Sequence, residues 1–592
     1  MRCKVTQDRS MTGRAACDMM GAMTPFRSRG RSRLWLRAIL MPAMLLLAYL
    51  LWPLADRRWE LAVSHEAKDS RREYLAAERE FTLRGVSRQA HPAPRVVLIV
   101  ADDLALVDVS HYGAQFDASP VPTPEIDRIG LDGATFLQAT ATTAICAPSR
   151  AAILTGRYQQ RFGFELQPHQ RYPRNRLEYL AFRYVVNTGS MVPVAPAAIP
   201  RSEDVRRQGL PATEVTLADL LQARGYRTAV YGKWHLGYDE EFSPLNRGFD
   251  EHYGFYEAFS LYSPAGTPGI VDTPIDDFSD RHMWSTGRSG AAAVVHNDTV
   301  VDEDEYLTFR FAELAAEYIA EHADEPFFLY LPFSAPHTPL QAPREYYEPL
   351  AHIADPVRRT YAAMVATLDD AVGTVISALE ASGILDETIL IFTSDNGGTS
   401  YLGVTDNGPL AGGKFTNYEG GLAVPLMIRY PPAIPAGSIV SEPVSLLDVF
   451  ATVDRATAIE DASGTERPTR PESLALDGVD LVRWATGDLS ERPHHGLFWR
   501  SWYNRAARVG DWKLIVTTDD APDVPSGSTR HELYHLSTDP YERVDRADQH
   551  PDIVDDLLRR LHRWEASVSR PLWPPVMHFR HDIWGRTRWF AI

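Results

Sequence analysis

The sequence predicts an α/β fold: a large mixed, mostly parallel sheet sandwiched by helices, followed by a smaller C-terminal α+β domain built on an antiparallel sheet. Three observations predict it. Short apolar, β-branched runs alternate with helical stretches between residues 95 and 440. Such runs suit strands buried on both faces of a sheet, with helices covering each side. Past residue 440 the rhythm gives way to short alternating segments, turns and Pro-rich stretches, the pattern of antiparallel strands. At 592 residues the chain is also too long for one ordinary domain.

The elements follow in order. Arg95-Val96-Val97-Leu98-Ile99-Val100 reads as a buried strand ending in Ala101-Asp102-Asp103. Two carboxylates therefore sit at the carboxyl end of a strand, where open α/β sheets bind ligands. Residues 214–224 read as an amphipathic helix stopped by Gly225, and Tyr226 to Tyr231 as a strand. A helix over 306–322 precedes the strand Phe327-Phe328-Leu329-Tyr330-Leu331. A long helix covers 356–381 with Gly383 as its C′ residue. Strands over Thr388 to Thr393 and Val424 to Tyr430 come next. In the C-terminal part, 458–472 is a loop, Trp512 to Val516 and His531 to Leu536 are antiparallel strands, and 551–566 is a closing helix.

Hydrophobic content of 44% and charged content of 23% are those of a globular protein. The formal net charge is −18, yet the first 58 residues carry 11 Lys/Arg against 3 Asp/Glu, leaving −26 on the remainder. A body this acidic excludes general binding of nucleic acid, because phosphate contacts need Lys and Arg. An anionic substrate must instead meet a local cluster of cations or a metal.

Residues 1–37 form a basic N-terminal region, and 38–55 hold no charged side chain. An apolar stretch of that length after a basic flank predicts the N-terminus inside and the body outside the cytoplasm, in a periplasmic, luminal or secreted location. It is either a membrane signal anchor or a signal peptide with Ala55 as the candidate cleavage site. Residues 59–94 read as a tether, 95–440 as the large domain and 441–592 as the smaller subdomain. Of the three cysteines, Cys3 and Cys17 precede the fold and Cys146 stands alone in it. No disulfide can form within the body, so that thiol is either inert core or a reactive group.

The chemistry concentrates around Cys146-Ala147-Pro148-Ser149-Arg150 and the following Leu154-Thr155-Gly156-Arg157. Pro148 suits the first turn of a helix and Gly156 its stop. Cys146 then lies at a helix N-terminus, where backbone N–H groups and the dipole favour an anion. Arg150, one turn on, can aim its guanidinium at the same point. Asp102-Asp103 and Asp395-Asn396 both end predicted strands, and their hard oxygens suit Ca²⁺ or Mg²⁺ rather than zinc. Lys233 and His235, in Gly-Lys-Trp-His-Leu-Gly, are two apart, so in an extended segment they point to one side. His337 follows another strand end, and Lys414 sits in a Gly-flanked loop that lets backbone approach a ligand.

These segments together resemble the type I sulfatases of the alkaline-phosphatase superfamily, over residues 95 to about 570. The resemblance implies an arylsulfatase-like sulfuric ester hydrolase acting on an aryl or carbohydrate sulfate, a sulfated small molecule or glycan. It implies that a formylglycine-generating enzyme oxidises Cys146 to formylglycine, whose hydrate attacks sulfur and then expels sulfate with His235 as base. Asp102, Asp103, Cys146, Asp395 and Asn396 would hold calcium, with magnesium as the alternative. Arg150, Lys233, His235, His337 and Lys414 would complete the catalytic set. His337 and Lys414 are candidates for protonating the leaving oxygen, and Asp395 for orienting or deprotonating the attacking hydroxyl or binding metal. The tail segments Gly510-Asp511-Trp512-Lys513-Leu514 and Glu532-Leu533-Tyr534 resemble the family's C-terminal domain.

Two features depart from the family pattern: an insertion over 164–210, and Ala423 where many relatives have Arg. Both bear on the substrate. A phosphonate or phosphate monoester hydrolase of the same superfamily is the alternative activity. An inactive membrane-tethered binding protein would need a lost site residue, and none is lost. The acidic run Asp302-Glu303-Asp304-Glu305 reads as a solvated loop, and Asn297-Asp298-Thr299 as a glycosylation sequon by pattern alone.

Overall fold

A computed structural model describes residues 93–114, 121–169, 176–186, 191–194, 202–458, 475–487, 491–517 and 529–592. The basic region, the 38–55 span, the tether before residue 93 and most of the 458–472 loop lie outside the described residues.

Four strands carry the site: β1 (Arg95–Ala101), β2 (Arg227–Lys233), β3 (Phe327–Pro332) and β4 (Thr388–Ser394). They lie side by side in the order β4, β1, β3, β2, and every pairing among them is parallel. Val96 to Ala101, Phe327 to Pro332 and Thr388 to Ser394 are buried throughout, as strands covered on both faces must be. Within the 10-stranded sheet, Leu426–Arg429 pairs antiparallel with β4, and Glu251–Phe255 parallel with β2. The sheet is mixed and mostly parallel, as the sequence predicts.

Helices cover both faces. The helix Leu217–Ala223 starts at a reciprocal cap, in which Thr216 Oγ1 accepts from Asp219 N and the Asp219 carboxylate accepts from Thr216 N. The helix Pro356–Ala381 ends at Ser382 with Gly383 at φ +69°, the left-handed residue expected there. This helix is long and apolar enough to cross a membrane, but it packs into one core with Val97, Ile99, Leu329 and Leu390 of the sheet.

The C-terminal part holds a four-stranded antiparallel sheet, Leu497–Ser501, Asn504–Val509, Trp512–Thr517 and Arg530–His535, under the helix Pro551–Glu565. That helix does not close the chain. The strands Met577–Ile583 and Arg586–Ala591 follow as a hairpin, and Met191–Pro193 of the insertion joins it.

One surface reading changes, and the sequon acquires a local structure. Glu303 is not simply solvated: it accepts from the Tyr253 hydroxyl at 2.5 Å and lies 3.3 Å from Arg310. Asn297-Asp298 is a tight hairpin turn with φ +48° and +66° between Val295–His296 and Thr299–Val300, and Asn297 Oδ1 accepts from His252 N at 2.9 Å.

Candidate active site

The carboxyl ends of the four central strands converge. Backbone bonds tie them: Asp102 N donates to Ala335 O and Asp395 N to Ala101 O, at 3.1 and 3.0 Å. Asp103 stands at φ +60°, a conformation that costs a non-glycine residue free energy. Its surroundings hold it there. Leu104 N donates to Ser394 Oγ at 3.1 Å, and Tyr361, from the Pro356–Ala381 helix, hydrogen-bonds both Ala105 N and Asp103 O.

Cys146 is the first residue of a helix running Cys146–Thr155, with Gly156 left-handed at its end. First-turn N–H groups have no intrahelical acceptor, so the helix presents them beside the sulfur. Cys146 is fully buried, and its Sγ lies 3.8 Å from Asp103 Oδ1. Burial pushes the thiol well above its ordinary range, further than Lys414 and Lys233 pull it down. As a thiol it is a poor nucleophile.

The cations are committed to the carboxylates. Lys233 Nζ lies 2.5 Å from Asp102 Oδ2 and Lys414 Nζ 2.7 Å from Asp103 Oδ2. Arg150, with no exposed surface, donates to Asp395 Oδ2 at 2.8 Å and to Lys233 O at 3.2 Å, and lies 3.4 Å from Asp102. Arg150 thus fastens the metal-type carboxylates to one another and to β2.

His235 arrives by a route the sequence does not predict. The strand ends at Lys233, and His235 stands at φ +57° with its N–H on Tyr256 O. The two residues share a site through that turn, not through strand alternation. His235 is buried, and neither ring nitrogen has a hydrogen-bond partner among the described residues. Burial, then Lys233 and Arg150, push it well below its usual range, so it is neutral at pH 7. His337 Nε2 lies 3.5 Å from Asp103 Oδ2, on a loop whose Ser334 and His337 carbonyls accept from Tyr262. Burial and Lys414 bring His337 down to about 4.

The carboxylates divide in character. Burial opposes ionisation of Asp102, but Lys233, His337, Arg150 and Lys414 together hold it below the usual range. Burial and the charge of Asp102 push Asp395 up to about 7, against Arg150 and Lys233.

Whether a hard cation fits can be read from unpaired oxygens. Asp102 Oδ1 and Asn396 Oδ1 are buried without a hydrogen-bond partner among the described residues. Ligand atoms of Asp102, Asp103, Cys146 and His337 all lie within 4.8 Å of one another. Asn396 joins them by donating to Asp103 Oδ1 at 2.7 Å, and Asp395 Oδ1 accepts from Asp103 N at 3.3 Å. Buried carboxylate and amide oxygens in one cluster fit Ca²⁺ or Mg²⁺. All the candidate residues are thus in one cluster.

Sequence reasoning passed over Thr399, which donates to Asp103 Oδ2 at 2.6 Å, and over Tyr262 and Tyr361. Thr399 lies four residues beyond Asp395 in the same loop, which is the one signal that could have found it.

Comparison with known proteins agrees with this geometry. A family model described as Sulfatase matches residues 94–459. N-acetylgalactosamine-6-sulfatase of Sus scrofa is 30% identical over 504 residues, covering 80% of this chain and 85% of that protein. Arylsulfatase J of Mus musculus is 28% identical over 528 residues, covering 81% of this chain and 77% of that protein. The crystal structure of Ps i-CgsB in complex with k-i-k-neocarrahexaose is similar with a TM-score of 0.64 and 28% identity, covering 81% of this chain and 95% of that one.

Proposed function

Because the chain belongs to the sulfatase family and is a sulfate-ester hydrolase, we propose that it works through a formylglycine made from Cys146, beside a calcium ion. The observation that carries this reading is the fully buried Cys146, at a helix N-terminus, among three cations paired with three carboxylates. A thiol held protonated by burial has no evident use in hydrolysis. Converted to a hydrated aldehyde, the same position supplies the hydroxyl that attacks sulfur.

Asp102, Asp103, Asp395 and Asn396 would hold the cation, whose charge would offset that of a bound sulfate group. Lys233 and Lys414 stabilise the anion as preorganised charges. Neutral His235 accepts a proton as sulfate departs. Of the two groups placed to protonate the leaving oxygen, Lys414 carries a proton at neutral pH: burial disfavours its charge, but Asp103 more than compensates. His337, neutral, orients the leaving oxygen.

The organisation follows the same reading: a catalytic domain over 95–440, a C-terminal subdomain over 441–592, and an extracytoplasmic body held by the 38–55 span. The relatives' printed names, an N-acetylgalactosamine-6-sulfatase and an arylsulfatase, support a sulfated glycan or aryl ester as substrate. The test is turnover of matched aryl sulfate and aryl phosphonate by protein matured with a formylglycine-generating enzyme. Preference for the sulfate, lost in Cys146→Ala, is expected; preference for the phosphonate would overturn the reading.

A further inference from the structure

Two loops meet beside the anion clamp. The one leaving Asp395-Asn396 carries Thr399, and the other carries Lys414; both side chains donate to Asp103 Oδ2, at 2.6 and 2.7 Å. The loops are stitched together. Lys414 N donates to Gly398 O at 3.0 Å, and Asn407 bonds the N–H and the carbonyl of Gly398 at 3.0 and 2.9 Å. Gly413 has no room for a side chain, since a Cβ there would lie 2.4 Å from Ser400 Oγ and 2.6 Å from Asn407 Nδ2.

This stitching brings Tyr401, two residues past Thr399, against Phe415, the residue after Lys414, with ring centroids 5.4 Å apart. Phe579 completes a triangle, 4.7 Å from Tyr401 and 5.5 Å from Phe415. The three are not equivalent. Phe579 has no exposed surface and Phe415 almost none, whereas Tyr401 is only half-buried. Phe579 lies on the C-terminal strand Met577–Ile583, beyond the residues matched by the family model. Aromatic contacts of this kind fix ring geometry as well as burying area. Tyr401 is therefore a rigid ring, next to the clamp, backed by a part of the chain outside the family match.

We propose that Tyr401 forms the leaving-group subsite, its ring packing against the ring of the alcohol or phenol that carries the sulfate. Phe415 and Phe579 are positioning residues that hold it. Within the aryl or glycan sulfate esters already proposed as substrates, Tyr401 is then the residue that favours a ring at the leaving group. This rests on the sulfate-ester reading above and adds the residue that selects the leaving group. Burial pushes the Tyr401 hydroxyl well above its usual range despite Lys414, with Asp103 adding to the rise. Tyr401 thus stays neutral and offers a packing surface, not a proton.

The test uses the full, matured chain with 4-nitrophenyl sulfate as substrate, and inorganic sulfate and ethyl sulfate as ringless competitive inhibitors. Tyr401→Ala is expected to raise KM for the aryl ester by about tenfold while kcat falls far less. The inhibition constants of inorganic and ethyl sulfate are expected to stay within about twofold, because neither reaches the ring. Tyr401→Phe should rescue most of the loss, and Phe579→Ala should reproduce part of it. An unchanged aryl KM in Tyr401→Ala would overturn the proposal. So would a parallel rise in the inhibition constants, which would make Tyr401 a prop for the clamp. Failure of the wild-type chain to release sulfate at all would instead sink the underlying reading, and the subsite with it.

Discussion

Replacing Lys414 by Met separates stability from catalysis. Its ammonium is 2.7 Å from Asp103 Oδ2, and both side chains are 3% exposed. Removing one partner of such a pair strands the other charge and costs about 3–5 kcal/mol of stability. Asp103 keeps Thr399 at 2.6 Å and Asn396 at 2.7 Å, so the loss belongs near the lower figure. The kinetic loss is independent, because Lys414 is a preorganised charge at the reacting group. Deleting one such donor lowers kcat by about 10²–10³. A calcium ion bound at Asp102 and Asp103, as proposed, would return stability by mass action, about 2.7 kcal/mol at a hundred times its Kd. The assay is thermal melting and 4-nitrophenyl sulfate turnover, each with and without calcium. Lys414→Met with excess calcium should melt near calcium-free wild type and remain at least a hundredfold slower than wild type. Recovery of activity on adding calcium, or a kinetic loss below tenfold, would refute the assignment of Lys414 to the clamp.

Three other outcomes are expected. Chelation should abolish turnover and lower the melting temperature, with calcium or magnesium restoring both and zinc neither; activity that survives exhaustive chelation would remove the metal from the account. His494, whose Nε2 lies 2.9 Å from Asp448, has its pKa raised by Asp448 against burial. Its contribution is then present below the unfolded value and lost as pH rises through the folded one. His494→Ala should cost about 1.5–3 kcal/mol in urea unfolding at pH 5.5 and less at pH 8.5, and an equal cost at both would contradict this. Lys513, fully buried between Glu419 at 2.6 Å and Glu542 at 2.8 Å, holds the C-terminal sheet to the segment that follows Lys414. Lys513→Met should destabilise by about 3–5 kcal/mol, and a neutral substitution would show that pair to be dispensable.

Much of the site was legible because its chemistry sits at strand ends that are themselves legible. Val96 to Val100 and Ile389 to Thr393 are apolar runs buried on both faces, and the residues that follow them are bound to reach the sheet edge. The Cys146 helix could be read from Pro148 and Gly156, and the long helix from Gly383. Strand direction was not legible for Leu426–Arg429, whose buried run looks the same either way and which pairs antiparallel. The hairpin over Met577–Ala591 was missed because its strands mix His, Arg, Asp and Thr with apolar residues, which blurs the alternation that marks a strand. His235 was expected at the site by strand alternation but arrives by a left-handed turn, which no side-chain pattern encodes. The partners that hold the site, Thr399, Tyr262 and Tyr361, come from tertiary contacts over long chain separations or from loop geometry. Single-sequence patterns do not contain them.

The central claim is tested most directly by weighing the peptide that contains Cys146, cut from protein made in a host with a formylglycine-generating enzyme. The account predicts a mass in which an aldehyde oxygen has replaced the thiol sulfur, in proportion to the sulfatase activity of the preparation. An unmodified thiol in fully active protein would contradict it.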